Sequence, residues 1–237
     1  MRGENMIRFN DIENITEGFP SLEIMPRKKG SRARADKRSY INIISAFDIE
    51  TTRIPVIDNS VMYIWQWSFY DLKTDKFIYT IYGRTWGEYL KACSQIRDWI
   101  AENSKLDNTY MVRLVHNLSY EFHFLSAYVD YKEDDVFALE KRKVVRADSF
   151  GCIEDRCTYI HSNMSLAKYA QTWDCDHQKL SGIEFDYNKP RYTWTEMTEE
   201  ELQYCENDVL SCVEAYVKEM KHFGDTLYSV PLLQRDT

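Results

Sequence analysis

The chain has 237 residues, 44% hydrophobic and 14% aromatic, with 38 acidic side chains against 30 Lys and Arg, a formal net charge of −8. That composition excludes a disordered chain and gives enough length to bury a full core as one large domain or a domain with an extension. The negative balance excludes a protein that coats nucleic acid by bulk electrostatics, while permitting local basic patches and a site built from carboxylates.

The six cysteines (Cys93, Cys152, Cys157, Cys175, Cys205 and Cys212) show no CxxC spacing, which argues against zinc and fits a reducing compartment. No apolar run approaches the roughly 18 residues of a membrane span and no signal peptide stands at the start, so a soluble, cytoplasmic protein with no membrane partner is expected.

In chain order, residues 1–26 carry no clear periodicity, and 27–38 (RKKGSRARADKR) is a basic stretch with Gly, Ser and Ala. Such a stretch reads either as a solvated linker or as a strip that contacts phosphates, and residues 1–38 are expected to form an N-terminal extension with a basic arm. From Tyr40 the sequence becomes regular. Strands are predicted over 40–48, 61–70 and 76–82, the last two joined by the polar turn DLKTD. Residues 86–102 space Tyr89, Leu90, Cys93, Ile96, Trp99 and Ile100 at helical intervals. A strand over 110–115 runs directly into HNLSYEFHFLSAYV, read as strand, short loop and helix. Two shorter strands follow near 143–149 and 152–160, then a helix from about Ser165 to Trp173. The final helix carries a capping box, Thr198 as N-cap with Glu201 reaching back, and runs to Gly224 as the C′ residue. A β-meander followed by alternating helices and strands gives one α/β domain with a mixed β-sheet flanked by helices.

The acidic residues can then be placed. In SAFDIETT (45–52), Asp48 and Glu50 stand two apart on a strand, so both point to one face, and two like charges there need a positive partner. Glu121 lies where a helix begins after LVHN. Tyr204 and Asp208 are four apart on the last helix and share its face. His116 and His123 flank Glu121 and are expected to be backbone-capping or core-edge residues.

Each fragment alone is unspecific. Taken in order, FDIETT, HNLSYEF and YCENDV resemble the three exonuclease motifs of family B DNA polymerases, and more closely the 3′→5′ proofreading domain of the protein-primed subgroup of phages and linear plasmids. The resemblance covers roughly residues 40–215. It implies a ribonuclease H-like (DEDD exonuclease) fold and hydrolysis of single-stranded DNA 3′ ends with two Mg²⁺ or Mn²⁺ ions. Matched position by position, Asp48, Glu50, Glu121 and Asp208 would be the metal carboxylates and Tyr204 would orient the attacking water. Thr51, Asn117 and Tyr120 fall where the family holds the single-stranded 3′ end. Ser162 matches a strand-binding serine, with His161 where an Asp is usual, and Tyr187 matches a tyrosine near the primer end. The family's upstream lysine meets Gly182 here, so Lys179 substitutes only if the loop bends differently. Four carboxylates against two divalent ions give a site neutral when loaded.

Two departures stand out. Glu121 replaces the usual Asp, adding a methylene, and the family's polymerase motifs do not occur, although SVPLLQRDT resembles the junction where they would begin. Residues 39–237 are thus expected to form an exonuclease domain without its polymerase domain, phage- or plasmid-encoded, either excised or free-standing. Its expected partners are a DNA 3′ end and a polymerase domain or other replication proteins. An exoribonuclease of the same superfamily and a non-catalytic binding module with a decayed site stay open as alternatives.

Overall fold

Successive side chains of a strand point to opposite faces, and the longest strand of this protein, Ser39–Ile54, buries both. Ile41, Ile43, Phe47 and Ile49 enter one core cluster, whereas Tyr40, Ile44 and Ala46 enter another. In the computed structural model, which describes residues 6–27, 38–54, 56, 58–178 and 189–235, this strand sits inside a mixed eight-stranded sheet. The strands are β1 (Ile7–Arg8), β2 (Ser39–Ile54), β3 (Asn59–Asp71), β4 (Lys76–Gly83), β5 (Thr109–Val115), β6 (Val136–Ala138), β7 (Val144–Ser149) and β8 (Ile153–Cys157). Their spatial order is β1-β4-β3-β2-β5-β8-β7-β6. β2 runs antiparallel to β3 and parallel to β5, which is parallel to β8.

Helices cover both faces. α1 (Trp86–Asn103) and α2 (Leu118–Leu125) pack on the face of Phe47, through Tyr89, Cys93, Ile96, Leu118 and Leu125. α3 (Thr158–Ser162) and α4 (Leu166–Thr172) lead to α5 (Glu199–His222), whose Val209, Val213 and Tyr216 cover Ile44 and Ala46 on the other face. The α5 capping box forms, with the Thr198 hydroxyl accepting from the Glu201 amide at 3.2 Å and the Glu201 carboxylate accepting from the Thr198 amide at 3.0 Å. The helix stops at His222, and Gly224 takes the left-handed φ of 64° that a Cβ disfavours. Among the described residues no helix is long and apolar enough to cross a membrane. All six cysteines are free and buried.

Two expectations need correction. β2 continues six residues past Asp48, because β3 is long enough to pair with it as far as Ile54. The strand expected over 152–160 ends at Cys157, and the chain turns into α3, where the Ser162 hydroxyl donates to the Thr158 carbonyl at 2.8 Å and closes the turn. Within the N-terminal segment, residues 6–27 pack on the domain: Phe9 and Ile15 are core residues, β1 pairs with β4, and Ile24 bridges Ile41. At the end of the basic stretch, Arg38 is held at 2.6 Å by both Asp148 and Glu154 rather than solvated; residues 28–37 lie outside the described residues.

β5 carries a buried charge that its apolar setting makes conspicuous. Arg113 and Asp155 of β8 are both fully buried, with Nε and Nη2 donating to the carboxylate at 2.5 and 2.9 Å. The guanidinium lies 4.8 Å from the Phe47 ring centroid and 4.7 Å from that of Trp67, so aromatic faces meet what the carboxylate leaves uncovered. Removing one partner strands a charge, whereas replacing both with apolar residues does not. Arg113→Met alone is expected to lower unfolding free energy by about 3–5 kcal/mol, and Arg113→Met with Asp155→Leu to recover most of that loss. Urea denaturation checks it, and equal stability of the single and double variants refutes it.

Candidate active site

The face of β2 that α5 covers changes character along its length. Ile44 and Ala46 are core, but Asp48 and Glu50, the next residues on that face, reach a cavity of about 810 Å³ beside α5 and α2. A register shift in the β2–β3 pairing follows immediately, between Glu50 and Thr51. The extra residue, Tyr63, lies on β3, and such a residue bends the strand that carries it. From α5, Asp208 projects into the same cavity. One oxygen from each of Asp48, Glu50 and Asp208 lies within 4.8 Å of the others.

Glu121 enters from the other side. β5 ends at Val115, Asn117 takes a left-handed φ of 69°, and α2 starts at Leu118, which puts Glu121 in its first turn, 3% exposed. Its carboxyl lies against that of Asp48, and burial, then the Asp48 charge, raise its pKa well above the carboxylate range. Two carboxyls can bond directly only if they share a proton. The other oxygen, Oε2, is buried without a hydrogen-bond partner. Glu121 lies in contact with Asp48 but outside the triangle of Asp48, Glu50 and Asp208. Asp48 is oriented by Gln66, directly opposite on β3, whose amide donates to Oδ2 at 2.8 Å. Behind the cluster, burial pushes the Cys205 thiol far up, and Glu50, Asp48 and Asp208 push it further.

This donor set fits divalent cations. Hard ions such as Mg²⁺ or Mn²⁺ take carboxylate oxygens, the four acids face one another with no cationic side chain lining the cavity among the described residues, and the buried Glu121 Oε2 is an acceptor that a cation would satisfy.

The remaining candidates divide. Asn117 and Tyr120 line the cavity, and the Tyr120 hydroxyl, 2.6 Å from that of Thr51, closes its rim. Tyr204 lies one turn before Asp208, but its ring is buried in a small cluster with Tyr63, Ile64 and Cys205 and does not line the cavity. Ser162 is not brought to the cleft. Its hydroxyl is engaged with Thr158 and the Met164 amide, and Ser165, the N-cap of α4, lines the cavity instead. His161 faces away, 2.9 Å from both Glu219 and the Pro231 carbonyl. Lys179, Gly182 and Tyr187 lie outside the described residues. Two residues escaped the sequence reading. His116 lines the cavity rather than only bordering the core, with Nδ1 3.0 Å from the Thr158 hydroxyl. Gln66 carried a signal, as the single amide inside the apolar run VMYIWQWSFY.

Because the folded Glu121 holds its proton above the ordinary value of 4.5, its contribution to stability without metal is present below that pH and is lost as pH rises toward its folded pKa. In chelator, melting temperature should therefore fall across the window above 4.5. Glu121→Gln should flatten that fall and also shrink the rise in melting temperature produced by Mn²⁺. A Gln variant with the wild-type pH slope and wild-type Mn²⁺ response rules out the coupling.

No family model matches the sequence, and no curated protein does. Solved structures do resemble the fold. Phi29 DNA polymerase complexed with single-stranded DNA superimposes with a TM-score of 0.58 at 14% identity over 78% of this chain and 33% of the polymerase. The ternary complex of phi29 DNA polymerase with primer-template DNA and incoming nucleotide gives 0.58 and 14% over 78% and 32%. The chain thus spans about a third of the polymerase's length. At this identity the likeness is one of fold: a mixed eight-stranded α/β sheet flanked by helices, similar to part of phi29 DNA polymerase and consistent with a ribonuclease H-like fold.

Proposed function

We propose that the protein is a metal-dependent 3′→5′ exodeoxyribonuclease that hydrolyses single-stranded DNA 3′ ends, acting as, or as a relative of, the proofreading module of a family B DNA polymerase. The observation that carries this reading is the convergence of Asp48, Glu50 and Asp208 within 4.8 Å, with Glu121 buried against Asp48. A cluster of carboxylates suits phosphodiester hydrolysis through bound cations.

Asp48, Glu50, Glu121 and Asp208 are the residues that would hold two Mg²⁺ or Mn²⁺ ions, which when bound supply Lewis-acid activation of water and stabilise charge on the leaving 3′ oxygen. Gln66 keeps the Asp48 carboxylate turned toward the cavity through its 2.8 Å bond. The Tyr120–Thr51 pair and Asn117 form the rim over which a single strand enters. Tyr204, buried one turn from Asp208 and outside the cavity lining, is assigned the positioning of water, a role that requires its hydroxyl to turn toward Asp208 when a strand is bound.

The test is digestion of a labelled single-stranded oligonucleotide. Shortening from the 3′ end with Mg²⁺ or Mn²⁺, and none in chelator, is expected. Asp48→Ala and Asp208→Ala should each lower kcat by roughly 10³-fold or more, with circular dichroism unchanged. Undiminished activity in either variant overturns the assignment. Tyr204→Phe should lower kcat roughly 10–1000-fold without shifting the melting temperature; a loss of stability at full activity would make the residue a packing element. Faster digestion of RNA of the same sequence would reassign the substrate, since only the 2′-OH differs. Binding without digestion would leave a non-catalytic module.

A further inference from the structure

Beyond the cleft, the loop that precedes α5 leaves an indole in water. Trp194 is 77% exposed, yet its ring is stacked on that of Tyr192, with centroids 4.9 Å apart and planes 6° from parallel. Exposed indoles are common singly, but the backbone beneath this one is fixed by two arginines. Arg84 donates from Nη2 to the Tyr192 carbonyl and from Nε to the Tyr63 carbonyl of β3, each at 2.6 Å. Arg191, 2% exposed, is bonded to Glu201 at 2.7 Å, and its amide donates to the Thr52 hydroxyl at 2.9 Å. That last bond ties the loop to β2 one residue past Thr51, on the cavity rim. Trp194 stands three positions past Arg191, at most about 11 Å of chain. The aromatic pair therefore lies within a short span of the rim.

Charge beside the pair points to the class of ligand. A cavity of about 290 Å³ is lined by Trp194, Tyr82, Arg8, Arg84 and Glu196, two guanidiniums against one carboxylate in a protein of net charge −8. A flat aromatic face suits a nucleobase, stacking tolerates every base, and an adjoining guanidinium suits the phosphate that follows. A lipid surface would meet too few apolar side chains here, and a carbohydrate would not call for the cations.

We propose that Trp194, stacked on Tyr192, is a second nucleic-acid subsite that takes an unpaired base of the strand whose 3′ end occupies the cleft, with exposed Arg8 facing its phosphate and Arg84 holding the loop beneath it. This rests on the nuclease reading and extends it from the bond cleaved to the length of strand held.

The probe is fluorescein-labelled oligo(dT) of about 4 and about 12 nucleotides, within the range of single-strand site sizes, with anisotropy measured on the full chain in Ca²⁺. Wild type should bind the longer strand more tightly. Trp194→Ala should weaken binding of the longer strand roughly 5–150-fold and remove most of the gain with length, while Trp194→Phe keeps most of it. Arg8→Gln should reduce the salt slope for the longer strand by about 0.7. In digestion assays with Mg²⁺ the Trp194→Ala effect should fall on KM rather than kcat. If wild type digests DNA but Trp194→Ala leaves both affinities unchanged, the subsite is overturned and the nuclease reading stands. If wild type neither binds nor digests single strands, both fall. A dimer seen by light scattering that Trp194→Ala abolishes, with DNA affinity unchanged, would overturn the subsite in favour of self-association.

Discussion

The pleat of β2 is the constraint on which the molecule's organisation depends. With a side-chain period of two, one strand must serve two helical layers, and a slip of one residue would exchange them. Ile43, Phe47 and Ile49 belong to the α1 side, while Ile44, Ala46, Asp48 and Glu50 belong to the α5 side. That second series passes from apolar to acidic over a few residues. α5 shows the same passage in reverse, from Tyr216 and Val213 in the core through Val209 to Asp208. Where the two gradients meet, the core ends and the carboxylates begin. The cluster is thus a product of two matched sequence periods, held in place by the hydrophobic contact that precedes it in both elements.

The protein treats buried charge in two ways, and the contrast gives the site its meaning. Inside the α1 face, Arg113 and Asp155 neutralise one another at 2.5 Å beneath aromatic rings. On the α5 face, Glu154 bonds Arg156 at 2.7 Å and Arg38 at 2.6 Å, and Asp148 shares Arg38. In each case a guanidinium answers the carboxylate. At the cavity the arrangement differs: Glu121 is buried against a second acid, and burial and the Asp48 charge both raise its pKa. Three acids gathered with an oxygen each within 4.8 Å of the others form a group that could hold a metal ion.

How much of this was legible in the sequence depended on how local the cause was. The meander β2–β3–β4, α1 and the capped start of α5 follow from period, turn chemistry and a four-residue signature, all contained within their own segments. So does the shared face of Asp48 and Glu50. The rest depended on partners distant in the chain. Arg113 and Asp155 are 42 residues apart, and neither strand alone announces the other. β1 has two residues and exists because β4 offers an edge. Residues 158–162 carry β-compatible side chains, but the hydroxyls of Thr158 and Ser162 close a helical turn against His116 and the Thr158 carbonyl. Ser162 missed the cleft for the same reason, since its hydroxyl was already engaged in that turn. Phe9 and Ile15 show no period because each inserts singly into a core built by other segments.

The six thiols have a consequence of a different kind. Each is buried, and burial holds each of them above the ordinary thiol range, with Cys93, Cys152, Cys175 and Cys212 pushed up to about 12. Thiolate, not thiol, is the reactive form toward electrophiles, so the native molecule is expected to react slowly with alkylating reagents. Any sulfur that does react has first been uncovered. Cys93 lies on α1, Cys157 at the end of β8, and Cys205 and Cys212 along α5. The order in which they are modified is a map of local opening, layer by layer, written in the protein's own sulfur atoms.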